Sequence, residues 1–454
     1  MGFKISTAKA DITPLPGVNP YMGGYGVQSG PREVSSDDPY SQPLLARCAV
    51  IWDDSRPFGI VSLDILGIPR AVHLAVRSRL LQLAAWDSSD VVLLASHTHN
   101  GPVIGRTLDP VITYDMGPAE LAFVDAYTAS LQDRIVDVVA AALAAPRTDV
   151  TLEYRVSSAG FAMNRVGLPT VETEVPVLTA RHPDGTLRAV LFSYGCHPVS
   201  AGYQELWDGD WPAEACDVVE DESGAFALFI PGPAGDQNPV GVASVASWAL
   251  RDDHGNTLGY TVLDAAESPG RELTGPISSD LREATLPLDI EETPANLAAV
   301  RDAFVVRTQN PAGLPAWYQR HADAMIARID AGTYATSVQN PSQVWRIEGD
   351  PALQLAFVGG ELVSGYGAYF RFRYGGAEEL LIGGYANETN SYIPSNEFLL
   401  PLAPSWGSYE GGWDPDSPGI AGGSMTIYPQ IAHFQAGAAG MEAAIIDALT
   451  EQLG

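Results

Sequence analysis

Two histidines set two residues apart at the end of an apolar run, His97 and His99, are the residues of this sequence best placed to do chemistry. The run 90–95 is followed by Ser96-His-Thr-His-Asn-Gly-Pro102, and the Gly-Pro pair stops the element. In an extended backbone residues i and i+2 project to one side, so both imidazoles can face a point beyond the strand's C-terminal edge. Ligands of open α/β sheets gather at that edge, and neutral imidazole is the commonest protein ligand for zinc. The same spacing also suits a strand-end turn in which each imidazole caps a backbone carbonyl. Three later stretches repeat the form, an apolar strand delivering polar residues at its end. Residues 191–200 present His197, residues 226–239 present Asp236 and Asn238 behind a Gly-rich turn, and residues 353–361 present Glu361 behind two glycines at the start of a helix. Taken singly, Glu361 reads as a charge at a helix N-terminus and His197 as a structural histidine. Taken together, two or three histidines and a carboxylate at the strand ends of one sheet form the ligand set of a catalytic zinc site with an open position. The other five histidines are background: His73 in mid-helix, His182 and His254 in polar turns, His321 and His433 on helices.

The elements that must position these residues follow from periodicity. Strands are expected over 45–52, 58–64, 91–95, 150–156, 175–180, 189–194, 225–230, 345–348 and 353–358. The short, wholly apolar run 91–95 is the pattern of a strand covered on both faces. Helices are expected over 70–86, 120–145, 242–266 with a soft spot at Gly255, 301–331 with a break near Pro311 and Pro315, and 430–453. Strands and helices alternate to the end, so the class is α/β, a mixed sheet flanked by helices. No internal repeat or linker divides the chain, and residues 1–454 read as one domain. The Gly- and Pro-rich stretch 401–424 has the length of a lid or binding loop. There Trp406, Tyr409, Trp413 and Ile420 either line a pocket for an acyl or aromatic group or anchor the loop.

Composition excludes several classes. With 46% hydrophobic residues in a chain of 454, a large core can be buried. The formal charge of −30, from 25 basic and 55 acidic residues, excludes nucleic acid as a partner, because phosphate contacts need clustered Lys and Arg. It argues equally against stable association with an anionic membrane. No segment reaches the ~20 apolar residues of a membrane helix, and the N-terminus has no signal-peptide core. Cys48, Cys196 and Cys216 form neither a disulfide framework nor a thiolate metal site. A cytoplasmic location is the expectation, and a homo-oligomer stays open.

The sequence resembles the neutral ceramidases and their bacterial relatives nearly from end to end. The likeness rests on Ala10-Asp-Ile-Thr-Pro14, Tyr21-Met-Gly-Gly-Tyr-Gly26, Ser96–Pro102, Asn164-Arg165, Gly195-Cys-His-Pro-Val-Ser200, Gly235-Asp-Gln-Asn-Pro239, Gly360-Glu361, Asn390-Ser-Tyr392-Ile and Tyr409-Glu-Gly-Gly412. The resemblance implies a neutral-ceramidase-like catalytic domain and a zinc amidase holding one Zn2+ ion. His97, His197, Glu361 and Tyr392 would be the metal ligands. His99 would sit behind them or act on the leaving group, while Arg165 and Tyr409 would steady the oxyanion. Asp64, at the end of its own strand, is added here as a partner orienting an imidazole. A tyrosine ligand would need its pKa lowered by the ion or would bind as a neutral phenol.

Two departures from the family pattern matter. Where the family carries a serine in Gly-Asp-x-Ser-Pro, this chain has Asn238, which cannot act as a nucleophile but can donate to an oxyanion. The chain also ends where the family's C-terminal β-sandwich would begin, which with the missing leader argues against a lipid substrate met at a membrane. The expected function is hydrolysis of a small or medium-sized amide, linear or cyclic, by metal-activated water. An esterase or lactonase, an amide-forming cyclase or a binding protein with a degenerate site are the alternatives. A metallophosphatase fits less well, since the sequence offers few further Asp ligands for a second metal.

Overall fold

The structure, a computed structural model, describes residues 2–25, 30–35, 41–309, 316–413 and 422–454. Its main sheet has twelve strands. They are β1 (Phe3–Asp11), β2 (Leu45–Asp53), β3 (Arg56–Leu63), β4 (Val91–Ala95), β5 (Thr148–Ser158), β6 (Glu174–Arg181), β7 (Leu187–Tyr194), β8 (Phe226–Pro231), β9 (Arg271–Pro287), β10 (Ser337–Gly349), β11 (Leu353–Val358) and β12 (Leu380–Gly383). The hydrogen-bonded order is β12-β11-β10-β9-β5-β1-β2-β3-β4, with β6, β7 and β8 branching from β5. Three neighbouring pairs are parallel, β3 with β4, β7 with β8 and β11 with β12, and the rest are antiparallel. The mixed α/β class read from the sequence is the one observed.

Every strand turns one side to a common interior, supplied in chain order by Ile5, Ile51, Ile60, Leu94, Leu152, Leu178, Leu191, Leu228, Leu273, Trp345, Leu355 and Leu381. The sheet therefore curls on itself. Edge strand β4 is tied to the segment leaving β12, through Ala95 N to Tyr385 O at 3.2 Å and Asn387 N to Leu93 O at 2.6 Å. Side chains of opposite parity face outward onto helices. Val61, Leu63 and Leu93 pack against the helices Arg70–Leu80 and Pro118–Ala144. Val190, Phe192 and Phe229 pack against Asp210–Ser223 and Trp248–Glu267. Val344 and Ile382 pack against Ala316–Ala331, Ser364–Arg373 and Met441–Leu453. Burial on both faces is why these strands read as continuous apolar runs.

The structure corrects several boundaries. The helix expected over 70–86 ends at Leu80. The one expected over 242–266 is split before Trp248, where the Ser247 side chain caps the new helix, and it runs unbroken through Gly255. Gly255 is a packing glycine: a Cβ there would stand 2.4 Å from that of Glu214 on the neighbouring helix. The closing helix starts at Met441 rather than 430, the preceding residues bringing Ile431 and Phe434 into the core. The expected break at Pro311 and Pro315 lies outside the described residues.

Candidate metal centre

Each parallel pair of strands delivers residues of one site from its C-terminal end. Past β4 the chain is held by Ser96 N on Leu63 O at 2.8 Å and His97 N on Ile65 O at 3.0 Å. His97 then takes a positive φ of 70°, a strained conformation for a non-glycine residue. The two imidazoles do converge, yet by this left-handed turn and not by the strand pleat expected from the sequence. Arg32 locks the next turn, donating to the carbonyls of His99 and Gly23 and to Asn100 Oδ1. Gly24 lies against His99, so that a Cβ at Gly24 would stand 2.6 Å from the His99 backbone. Past β7, His197 N donates to Gln237 O at 3.0 Å. Glu361 lies in a two-residue strand paired in parallel with Tyr392, before and not within the helix Ser364–Arg373. Register partners emerge side by side, so Glu361 and Tyr392 are neighbours.

His97, His99 and His197 form a group that can hold a metal ion, their donor atoms all lying within 4.8 Å of one another. His99 Nε2 is 3.2 Å from His97 Nε2. Glu361 Oε2 is 3.2 Å from His97 Nε2 and 3.3 Å from His197 Nε2. A zinc tetrahedron with arms of ~2.0–2.1 Å has edges of ~3.3 Å, so these separations match those of ligands around one ion. His197 Nε2 and Glu361 Oε2 are buried without a hydrogen-bond partner, an expensive arrangement unless something else satisfies them. The remaining ring nitrogens fix the tautomers. His97 Nδ1 lies 2.6 Å from Leu66 O and His197 Nδ1 2.6 Å from Ala234 O, which turns each Nε2 lone pair inward. Burial pushes the His197 pKa down to about 4 and holds His99 well below the usual value, so both rings are neutral, the ligand form. The donor set of neutral imidazoles and one carboxylate fits a borderline divalent cation.

The predicted oxyanion residues gather beside this cluster. Arg165 donates from Nε to Glu410 Oε1 at 2.6 Å, from Nη2 to the Tyr392 hydroxyl at 3.0 Å and from Nη1 to Asn238 Oδ1 at 3.3 Å. The Tyr409 ring stands edge-on to that of Tyr392, centroids 5.6 Å apart. Burial and then Glu361 keep the Tyr392 phenol well above its ordinary pKa and hence protonated. All eight residues singled out in the sequence therefore fall in one neighbourhood.

Sequence reasoning missed three others. Tyr428 donates to Glu361 Oε1 at 3.0 Å, Tyr385 packs its ring 4.4 Å from that of His97, and Glu410 anchors Arg165. Only Glu410 carried a signal, as the neighbour of Tyr409. Asp64 does not orient an imidazole: its Oδ2 accepts from Leu45 N at 2.9 Å, and backbone carbonyls hold the rings instead. Of the background histidines, His254 is helical, stacked on Phe161, not in a turn. His433 lies in no helix and stacks on Trp413 at 3.5 Å, so Trp413 anchors the long loop. Ile420 lies outside the described residues.

Site and fold together define a curled mixed sheet carrying a buried histidine-carboxylate cluster at the ends of its parallel strands. The fold is neutral-ceramidase-like. A crystal structure of neutral ceramidase from Pseudomonas aeruginosa superposes with a TM-score of 0.66 at 19% identity, over 94% of this chain and 72% of that one. A ceramidase complexed with C2 superposes with a TM-score of 0.65 at 19% identity, over 94% and 73%. No protein-family model matches the chain, and no curated protein matches it. Among the described residues, no helix is long and apolar enough to cross a membrane.

Proposed function

We propose that this chain is a zinc-dependent hydrolase of amide bonds in small or medium-sized molecules. The observation that carries the reading is the convergence of His97, His197 and Glu361 on one point, where His197 Nε2 and Glu361 Oε2 are buried without a hydrogen-bond partner. In this reading His97, His197, Glu361 and Tyr392 hold the ion. When bound, such a cation lowers the pKa of a water to ~7 and polarises the substrate carbonyl. Arg165, held rigid by Glu410, aims its charge at the developing oxyanion, with Tyr409 and the amide nitrogen of Asn238 beside it. Losing one such donor typically costs about 10²–10³ in turnover. Asn238 Oδ1 accepts from Arg165, which gives this residue a positioning task in place of nucleophilic attack. His99 Nδ1 has no hydrogen-bond partner and is the atom free to take a proton and hand it to the departing amine.

Metal analysis of purified protein alongside a panel of N-acyl compounds tests the reading. One zinc per chain and amide turnover are expected, and His97→Ala loses both. A metal-free His97→Ala variant with full activity refutes it, and a strong preference for matched esters replaces amidase by esterase or lactonase. His99→Ala should keep its metal and lose rate; loss of metal would make His99 a ligand.

A further inference from the structure

A cleft of about 610 Å3 lies apart from the histidine cluster, between the first turn of the helix Arg70–Leu80, residues 105–107, the helix Ala316–Ala331 and residues 428–431. None of His97, His99, His197 or Glu361 borders it. Its floor is apolar: Val72, Leu288, Met325 and Ile431 line it and are buried. Its charged lining is Arg70, Arg106 and Arg328 against the single acid Asp125, in a chain with 25 basic and 55 acidic residues. Among the described residues the lining itself is thus basic, while Glu283, Glu388 and Asp109 stand behind its arginines.

The three arginines are not equivalent. Arg70 is committed to two carboxylates, Glu388 at 2.9 Å and Glu283 at 2.8 Å. Arg106 uses Nη1 for both Asp125 at 3.2 Å and the carbonyl of Gly105 at 2.9 Å. Arg328 uses Nη1 on Pro429 O at 3.1 Å, while its Nη2 stands 3.8 Å from Asp109, beyond hydrogen bonding. Both half-exposed guanidinium groups therefore keep N–H donors for a ligand. The helix entering the cleft adds to the same potential, since it opens on Pro69 with no side-chain cap and no acid in its first turn.

We propose that this cleft is a second binding site, for a monocarboxylate with an apolar body. The carboxylate pairs with Arg106 and Arg328, and the body lies on the Val72, Leu288, Met325 and Ile431 floor. A purely polar anion would forgo contact with that floor, and a neutral apolar molecule would leave the remaining N–H donors of Arg106 and Arg328 to solvent. The volume lies within the ~300–1,000 Å3 of small-molecule sites. The cleft meets the metal centre through Tyr428, which lines it and donates to Glu361 Oε1, but the proposal does not rest on the hydrolase reading.

Calorimetric titration of the full, metal-containing chain with octanoate tests this, with octanamide and acetate as probes lacking the charge or the body. Octanoate should bind one per chain, at least tenfold more tightly than either. Arg106→Gln and Arg328→Gln, both at half-exposed positions, should each weaken octanoate several-fold, with metal content unchanged. His97→Ala should bind octanoate as the parent does. Equal binding of octanamide, indifference to both arginine substitutions, or loss of binding in His97→Ala, which would place octanoate at the metal centre, each overturns the proposal.

Discussion

Tyr428 holds one oxygen of the carboxylate whose other oxygen faces two imidazoles, and the energetics of that contact are testable. Removing the hydroxyl leaves Glu361 Oε1 buried without this donor, a loss of roughly 1–3 kcal/mol. Partners that orient metal ligands typically contribute about 10–100-fold in affinity. Tyr428→Phe should therefore keep its fold by circular dichroism and bind zinc about 10–100-fold more weakly in chelator competition. Unchanged affinity would reduce Tyr428 to packing. Gly24 is the second test at this scale. Its φ of +96° and its contact with His99 forbid a side chain, so Gly24→Ala should displace His99 and lower turnover well before it lowers metal content. The clustered histidines were legible in the sequence because a strand ending in histidine is a local pattern. Asn238 was legible at the end of its strand and Tyr409 as an aromatic of the long loop, whereas Arg165 and Tyr392 were legible only through resemblance, because nothing in their own surroundings marks them. Tyr428 had no signal at all, since its partner lies 67 positions away.

The elements work as three parallel strand pairs aimed at one point, and a buried polar network holds the last of them in place. Glu388, fully buried, accepts from Arg70 and lies 2.8 Å from His73 Nδ1, while Arg77 Nε donates to His73 Nε2 at 2.7 Å. Arg77 also reaches Asn387 Oδ1 at 2.6 Å, so the helix Arg70–Leu80 grips the segment between Tyr385 and Tyr392. Breaking a buried charged network by removing one member costs about 3–5 kcal/mol. Glu388→Ala should lose that much stability in urea denaturation, and a loss below about 1 kcal/mol would show the network to be incidental. Apolar strands buried on both faces, such as β4, β7 and β11, were readable from their runs. Strand β9 was not, because most of its 17 residues are at least partly exposed, five are charged and Gly275-Pro276 interrupts them. Strand β1 and the helix Asp210–Ser223 were likewise unread: their elements depend on partners distant in sequence, Lys4 pairing with Trp52 and Gly259 packing on Val218.

At the scale of the whole molecule, charge sets the response to pH. A formal charge of −30 repels itself in the compact state, and the core holds carboxyls that resist ionisation. Burial, offset by Arg251 and reinforced by Asp210, pushes Asp208 up to about 7. Burial, offset by Arg371, does the same for Glu172. Each folded pKa lies above its unfolded value of ~3.9 or ~4.3. The folded state therefore binds more protons through this range, and the stabilising share of each group is full at acid pH and lost as pH rises through about 7. Metal binding has its own pH dependence, so the measurement belongs on chelator-treated protein. Its thermal midpoint should fall between pH 6 and pH 8. Salt at about 1 M, with a Debye length of ~3 Å, should remove the part due to surface repulsion and leave the buried part. Asp208→Asn, which keeps an acceptor for the Asp210 N–H at 2.6 Å, should flatten the slope that survives in salt. A salt-resistant slope of the same steepness in that variant would assign the pH response to other groups and leave Asp208 ionised in the core beside Arg251.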